Sequence, residues 1–312
     1  MKINSNKIKS LFLLSLVGSN LAKEEKTDNQ TELTLNSLPQ ITTNFTKRGN
    51  ETDPTLVFAG MSIFFEQGLR PGYNQTSCMN GFPLVPTGSN EDCVLGSGPA
   101  FLTSARCCRD NTDCGTWKVF LMTGNNSLIG TVSETSFQTP TGTDYAFVDA
   151  SVSGNRLIPY VMGEHDLIPI IWPSSVALGT KVCTFGMLSG YLCGNVVGMD
   201  LSVGSDRRNF DGVTKVDLGN HGFETDNELG APVYTESEIG ERNITQALGY
   251  VTSFNNSDPN HKFIYYTPLQ KVFHKLFESS GGDCSYTLLT YNETNAQEYD
   301  NLLAQIEIPT KK

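Results

Sequence analysis

The chain has 312 residues, a formal net charge of −11 and a pI of about 4.8. Because nucleic acid and anionic membrane surfaces both repel an acidic protein, we expect neither as a partner. The hydrophobic content of 38% is sufficient for a packed core, which argues against a chain that is disordered throughout.

Residues 1–22 have the pattern of a signal peptide. Three lysines precede a short apolar run at 11–17, which contains one serine, and small residues follow up to Ala22. The alternative is a buried N-terminal helix. Residues 23–55 are polar and predict a flexible stalk or a pro-segment. No later segment approaches the roughly 18 apolar residues of a membrane helix, so we expect a secreted, extracellular protein without a membrane partner.

N-x-S/T sequons are frequent and predict a glycosylated surface, which agrees with export. Their asparagines are Asn29, Asn44, Asn50, Asn74, Asn125, Asn243, Asn255 and Asn292.

The eight cysteines are even in number, and in an exported chain they predict disulfide bonds. A zinc site is a poor alternative, because no C-x2-C pair repeats and the four histidines lie far from the cysteines. We therefore expect no metal and no cofactor. The cysteines are Cys78, Cys93, Cys107, Cys108, Cys114, Cys183, Cys193 and Cys284.

Short apolar runs recur about every ten residues, with turn signals between them, and predict an all-β fold. This spacing favours a β-sandwich or barrel over alternating βαβ units. The runs lie at 56–65, 81–86, 99–105, 117–122, 128–132, 144–150, 157–161, 167–172, 181–186, 191–203, 212–218, 231–235, 246–253 and 262–266.

One helix is predicted at 268–277. Thr267 is placed to be its N-cap, Pro268 suits the first helical position, and Gly281-Gly282 ends it. One apolar face is formed by Leu269, Val272, Phe273, Leu276 and Phe277. Residues 281–312 predict a peripheral acidic tail with weak helical character near its middle.

Residues 182–194 carry the pattern V-C-x-x-G-x-x-x-G-x-x-C-G, and a bridge between Cys183 and Cys193 would close a short hairpin loop. This stretch resembles a hairpin of the trypsin/chymotrypsin superfamily, in the secreted bacterial branch of α-lytic and streptomycete proteases. The resemblance extends from about residue 59 to residue 277.

Three further segments, at 77–82, 143–148 and 249–253, resemble strands of that superfamily in the same order along the chain. The resemblance implies a chymotrypsin-like double antiparallel β-barrel with a C-terminal helix. The implied boundaries are a peptidase-like domain at 56–280, with a first barrel at about 56–165, a second barrel at 166–266 and the closing helix at 268–277.

The resemblance also implies two disulfides, between Cys78 and Cys107 and between Cys183 and Cys193. The other four cysteines then have three pairings, of which Cys93 with Cys108 or with Cys114 is the most local. The adjacent Cys107 and Cys108 also raise the alternative of a relocated thiol nucleophile, but we interpret both as disulfide cysteines.

The catalytic positions of the superfamily do not follow the resemblance. Residues 101–107 match the T-A-x-H-C segment, with Arg106 in place of the histidine, and residues 227–233 match G-D-S-G-G-P-V, with Leu229 in place of the serine. Asp144 matches the aspartate. Leucine has no nucleophilic atom, and arginine is not a base at neutral pH, so the resemblance implies a triad that cannot act.

Asp144 and Arg106 are expected to form an ion pair in which the guanidinium replaces the histidine as hydrogen-bond donor. The alternative is that Arg106 points to solvent and Asp144 caps a local turn. Asp226 and Glu228 are predicted to belong to a solvated acidic loop rather than to a cation site or an acid–base pair. The histidines, including His221, His261 and His274, are interpreted as surface residues.

Three functions remain. The favoured one is a secreted pseudoprotease that binds an extracellular protein or peptide in the cleft between the barrels, as a decoy or a regulator. The second is an active serine endopeptidase whose catalytic residues lie elsewhere in the chain. The third is a structural or adhesive glycoprotein that uses the barrels as a scaffold.

Overall fold

A computed structural model of the chain describes residues 55–66, 76–87, 95, 98–108, 114–122, 127–136, 141–151, 155–205, 208–239, 242–282, 284–292 and 294–303. The predicted signal peptide and residues 23–54 of the polar segment lie outside these residues. So do Cys93 and the sequon residues Asn29, Asn44, Asn50, Asn74 and Asn125.

The described residues form mainly strands. In the first half of the chain these are β1 (Leu56–Ala59), β2 (Ser62–Glu66), β3 (Thr76–Met79), β4 (Pro83–Pro86), β5 (Ala100–Thr103), β6 (Lys118–Leu121), β7 (Leu128–Thr135), β8 (Thr141–Gly142) and β9 (Ala146–Asp149). In the second half they are β10 (Arg156–Met162), β11 (Leu167–Pro173), β12 (Lys181–Gly186), β13 (Gly190–Ser205), β14 (Arg208–Asp217), β15 (Pro232–Ile239), β16 (Arg242–Asn255), β17 (Phe263–Pro268) and β18 (Tyr286–Leu288). The helices are α1 (Leu269–Ser279) and α2 (Ala296–Leu303).

Two sheets organise these strands. The smaller sheet has the order β18-β4-β5-β9-β7-β6-β2-β3, and every pairing in it is antiparallel. The larger sheet contains a closed antiparallel ring, β12-β13-β14-β17-β16-β15, in which β15 pairs again with β12. Closure leaves the strands of this ring with few unpaired edges.

The predicted boundary between the barrels, at 165 and 166, falls in the turn between two strands, β10 and β11. β10 and β11 lie on either side of that boundary and pair with each other as a hairpin. β11 then joins β16 in parallel, and β1 adds to β10 in parallel, so that this hairpin extends the larger sheet. Apolar periodicity identified these strands, but it contains no information about which sheet a hairpin joins.

α1 follows β17 directly. Its N-cap is Pro268, not the predicted Thr267, because Thr267 belongs to β17 and its buried hydroxyl lies 2.6 Å from that of Thr252. Leu269, Val272 and Leu276 are buried, whereas Phe277 at the end of the predicted apolar face is 49% exposed.

The C-terminal segment is packed against the sheets, contrary to the predicted peripheral tail. β18 pairs with β4 of the smaller sheet, and the Tyr291 N–H then donates to the Ile170 carbonyl of the larger sheet at 2.6 Å. In α2 the ring of Tyr299 is buried beside Tyr160, whose hydroxyl donates to Asp300 at 3.2 Å. A strand ladder therefore attaches this segment to the smaller sheet, and a backbone bond and the Tyr160 contacts attach it to the larger sheet.

In the described part of the chain, neither helix has the length and apolar character needed to cross a bilayer.

Candidate functional site

Asp144 lies just before β9 and is completely buried. Its Oδ2 accepts a hydrogen bond from the Ser104 hydroxyl at 2.7 Å, and its Oδ1 accepts one from the Ala105 N–H at 2.8 Å. The Tyr250 hydroxyl on β16 donates to the backbone carbonyl of Asp144 at 2.5 Å. Asp144 therefore stands where the smaller sheet meets β16 of the larger sheet.

Burial is the main influence on the ionisation of Asp144. Removal from water disfavours the charged form and raises the pKa of Asp144 to about 6, from an ordinary value of 3.8. Hydrogen bonds from Ser104, Thr252 and Ala105, together with the charge of Arg106, act in the opposite direction and lower this pKa. At neutral pH these donors hold a buried carboxylate.

Arg106 lies in the 3-10 turn Ala105–Cys107, which follows β5. It is half-buried, and its Nη1 donates to the carbonyl of Thr252 at 3.0 Å. The alternative in which Arg106 points to solvent is therefore wrong. Its charge lowers the pKa of Asp144, while the direct ion pair between the two side chains stays a prediction. The Arg106 guanidinium therefore links the turn after β5 of the smaller sheet to β16 of the larger sheet.

Leu229 is buried, with 2% of its surface exposed, and follows the 3-10 turn Asp226–Glu228. Its N–H donates to the Asp226 carbonyl at 3.1 Å, and its carbonyl accepts from the Met79 N–H at 2.8 Å. In Ser-His-Asp proteases the N–H of the nucleophile residue is one of two donors that bind the oxyanion. Here the N–H at the matched position is already used inside the turn.

Gly230 permits the close contact between this turn and β3. Its φ of +85° is a backbone conformation that residues with a side chain rarely adopt. A Cβ there would lie 2.2 Å from the Met79 carbonyl oxygen and 2.3 Å from the Thr103 hydroxyl. The backbone at 229–231 is consequently pressed against the smaller sheet, and the side chain of Leu229 packs in the core.

Glu228 is completely buried, so its assignment to a solvated acidic loop is wrong. Its Oε1 accepts from the N–H groups of Leu188 and Ser189 at 2.9 and 2.8 Å. Its Oε2 accepts from the Ser189 hydroxyl and the Glu224 N–H, both at 2.8 Å. The carboxylate therefore ties the turn before Leu229 to the β12–β13 hairpin. Asp226, by contrast, is exposed, as predicted.

The disulfides include the two pairs expected from the resemblance. Cys78 bonds to Cys107, and Cys183 bonds to Cys193 across the β12–β13 hairpin. The local pairing of Cys93 with Cys108 or Cys114 is wrong, because Cys108 and Cys114 bond to each other. These two cysteines lie six positions apart in the sequence, and their Cα atoms lie 5.8 Å apart, an ordinary separation for a disulfide. Cys284 is also disulfide-bonded.

The four histidines are exposed. Their described partners are acidic residues on the surface: His261 lies 2.8 Å from Asp217, and His274 lies 3.0 Å from Glu278. No described histidine contact involves Ser104 or Asp144. Within the described ranges, no group of three or more histidine, cysteine, aspartate or glutamate side chains could hold a metal ion.

The last four residues of β16, Thr252–Asn255, form what we call the open edge. Thr252 and Ser253 are buried, Phe254 is half-buried and Asn255 is exposed. The ladder with β15 ends at the Tyr250–Pro232 pair, and two further backbone bonds join Val251 to Gly230 and Ala231. Beyond that point, the described ladders of β16 are with β17 alone. The Thr252 carbonyl, at the start of the open edge, accepts from Arg106. A strand edge without a second ladder can take up an extended peptide.

Comparison with solved structures establishes the fold. Thermobifida fusca protease A shares 18% identity with a TM-score of 0.52, and the match covers 76% of this chain and 100% of that one. A Cellulomonas bogoriensis chymotrypsin matches with 18% identity and a TM-score of 0.51 over the same shares. A Nocardiopsis protease matches with 17% identity and a TM-score of 0.52, again over 76% and 100%. The sequence matches no protein-family model and no curated protein.

These likenesses define the class of fold. The chain is a chymotrypsin-like double β-barrel with a C-terminal helix, as the sequence predicts. At identities below one-fifth the likeness concerns the fold, and function has to be argued from the site.

Sequence reasoning missed two parts of the site. Ser104 stands where the superfamily segment has an alanine, and a serine beside a matched aspartate is a signal that could have indicated its hydrogen bond to Asp144. The buried role of Glu228 had a weaker signal, because its partners Leu188 and Ser189 lie about forty residues away in sequence.

Proposed function

We propose that this chain is a secreted pseudoprotease that binds an extended segment of an extracellular protein or peptide without cutting it. The observation that carries the proposal is the state of Leu229. It stands at the position that the sequence resemblance matches to the nucleophile, its side chain is buried in the core, and its N–H is bonded within the 3-10 turn. This position offers neither a nucleophilic atom nor an available oxyanion donor.

The base is missing from the matched position as well. An arginine stands there, and a guanidinium cannot take a proton from a hydroxyl. Ser104 is the serine whose hydroxyl touches Asp144, but it is completely buried and donates a hydrogen bond to the carboxylate. Acyl transfer needs an exposed nucleophile beside a base, and these residues supply neither.

Binding is supported by the open edge. Strand addition there would use backbone hydrogen bonds, which need no catalytic group and accept many sequences. The half-buried ring of Phe254 lies on this edge and packs edge-on against Phe223 at 6.2 Å, so an apolar surface accompanies the backbone groups. The ligand we expect is therefore an extended peptide segment in the cleft.

Catalysis is tested with a fluorophosphonate probe on the full chain, secreted with its disulfides intact. We expect the labelling of the wild type to equal the background labelling of the Ser104→Ala variant. Labelling of the wild type that disappears in Ser104→Ala would identify an active serine and overturn the proposal.

Binding is tested with a mixed library of immobilised extended peptides. The matched control is the same library with N-methylated backbones, which cannot form the hydrogen bonds of a strand ladder. We expect saturable binding to the first library and background binding to the second. Equal binding to both, or to neither, would contradict strand addition.

A further inference from the structure

β16 carries a sequon near each of its ends. Asn243, the second residue of β16, lies opposite Glu238 in the ladder with β15, whereas Asn255 is the last residue of the open edge. Both asparagine side chains are exposed. The strand therefore offers two chemically equivalent acceptor sites, of which one adjoins the proposed binding site.

The sequon at Asn255 forms an exposed turn. The Asn255 Oδ1 accepts from the N–H of Ser257, the third sequon residue, at 2.8 Å. The middle residue, Asn256, donates from Nδ2 to the Phe223 carbonyl at 2.5 Å and so holds the turn against the barrel. A glycan on Asn255 would lie in solvent, and its root would be held at the end of the strand.

We propose that Asn255 carries an N-linked glycan that covers the outer end of the open edge and thereby sets the length of peptide that the edge accepts. Occupancy of Asn255 stands independently of any ligand, whereas the limit on peptide length rests on the proposed function.

The two ends of the open edge define the expected length. Arg106 occupies the Thr252 carbonyl at one end, and the glycan would stand at Asn255 at the other. Three residue steps of a strand cover about 10 Å. The ligand would therefore pair over a short stretch, and its chain would have to turn away from β16 beyond it.

Covering the edge also has a protective consequence. The accessible part of the open edge is its outer half, Phe254 and Asn255. An unpaired strand edge is a template for pairing with other chains, and native proteins commonly block such edges. A hydrated, bulky glycan at the end of the edge would oppose the approach of a long flat strand, while a short segment could still enter. The same group would thus select ligands and discourage aggregation.

The experiment compares the wild type with Asn255→Gln, using Asn243→Gln as the matched control, all expressed as full chains in a eukaryotic secretory host. Occupancy is measured by mass spectrometry after enzymatic deglycosylation in ¹⁸O water. Amide hydrogen exchange of residues 252–255 then shows, without any ligand, whether the glycan covers these residues. We expect Asn255 to be occupied, and exchange to become about threefold faster in Asn255→Gln but not in Asn243→Gln.

Peptide binding is then measured as the retention of the protein by immobilised peptides of four to twelve residues. We expect Asn255→Gln to gain retention of the longest peptides severalfold, with Asn243→Gln unchanged. An unoccupied Asn255 in a chain glycosylated elsewhere would overturn the inference, and so would equal exchange in all three proteins. Faster exchange in Asn255→Gln without peptide retention by any variant would support the glycan and reject the proposed function.

Discussion

The two sheets hold a buried carboxylate in different ways. In the smaller sheet, Asp144, which the sequence matches to the superfamily's aspartate, is held by Ser104 and Ala105. In the larger sheet, Glu228 lies directly before Leu229 and binds the β12–β13 hairpin. The first carboxylate joins groups where the smaller sheet meets β16, whereas the second closes a turn.

The comparison shows what a buried carboxylate contributes to a fold. Removing a buried carboxylate that accepts several hydrogen bonds is destabilising. Each donor that loses its acceptor stays buried, away from water, without a hydrogen-bond partner. Asp144 and Glu228 therefore have structural roles that do not depend on catalysis.

The largest expected effect is on the Glu228 side. Glu228→Ala removes the acceptor from three backbone N–H groups and one hydroxyl in a fully buried site. We expect the free energy of unfolding to fall by about 4 kcal/mol, measured by urea denaturation. Asp226→Ala is the matched control, and because Asp226 is exposed its effect should stay within about 0.5 kcal/mol. Similar losses in both variants would contradict the closed turn.

The next largest effect is the pH dependence of the free energy of unfolding that Asp144 causes. Since its folded pKa of about 6 exceeds the ordinary 3.8, the folded chain binds more protons than the unfolded chain between these values. The contribution of this residue to the free energy of unfolding is therefore full below pH 3.8 and decreases as the pH rises through 6, by about 3 kcal/mol.

The comparison of wild type with Asp144→Asn isolates this contribution from those of other carboxylates. The stability of the wild type relative to the variant should fall between pH 4 and pH 7 in urea denaturation experiments. A difference that stays flat, or that rises with pH, would show that the carboxyl is not destabilised by burial.

A smaller effect is expected at Ser104. Ser104→Ala removes one charge-assisted hydrogen bond from the Asp144 carboxylate and should cost about 1–2 kcal/mol at pH 7 and less at pH 4. Ser202→Ala is the matched control, because Ser202 donates to Asp211 at 2.6 Å on the surface. We expect its effect to remain within about 0.5 kcal/mol. Equal losses would remove the distinction between the buried and exposed pairs.

The smallest expected effect is on chemistry. The double variant Arg106→His/Leu229→Ser restores a base and a nucleophile by residue type, but the N–H at position 229 is still bonded to Asp226 and the turn is still held by Glu228. We expect fluorophosphonate labelling to stay at the level of the wild type, with circular dichroism confirming the fold. Strong labelling would show that the turn opens readily.

The sequence predicted most of the fold and about half of the site. Apolar runs separated by turn residues indicated the strands, and the spacing of Cys183 and Cys193 indicated the β12–β13 hairpin of the larger sheet. Asp144, Arg106 and Leu229 were found because each stands in a segment that resembles a superfamily motif.

The rest depended on contacts between distant residues. Glu228 was assigned to a solvated loop because it forms an acidic pair with Asp226 in the sequence, and its donors are remote in sequence. The C-terminal segment was expected to be peripheral because of its acidic residues. Tyr286, Tyr291 and Tyr299 were the overlooked signal, since tyrosines repeated through a polar segment indicate packing with a bonded hydroxyl.

The most direct test of the account is to incubate the wild-type protein with a peptide selected from the library and measure binding and peptide integrity in the same sample. Isothermal titration gives the stoichiometry, and mass spectrometry of the recovered peptide shows whether any bond was cut. The account predicts saturable binding with intact peptide after prolonged incubation. Recovery of defined fragments that increase with time would contradict it and identify the chain as an active peptidase.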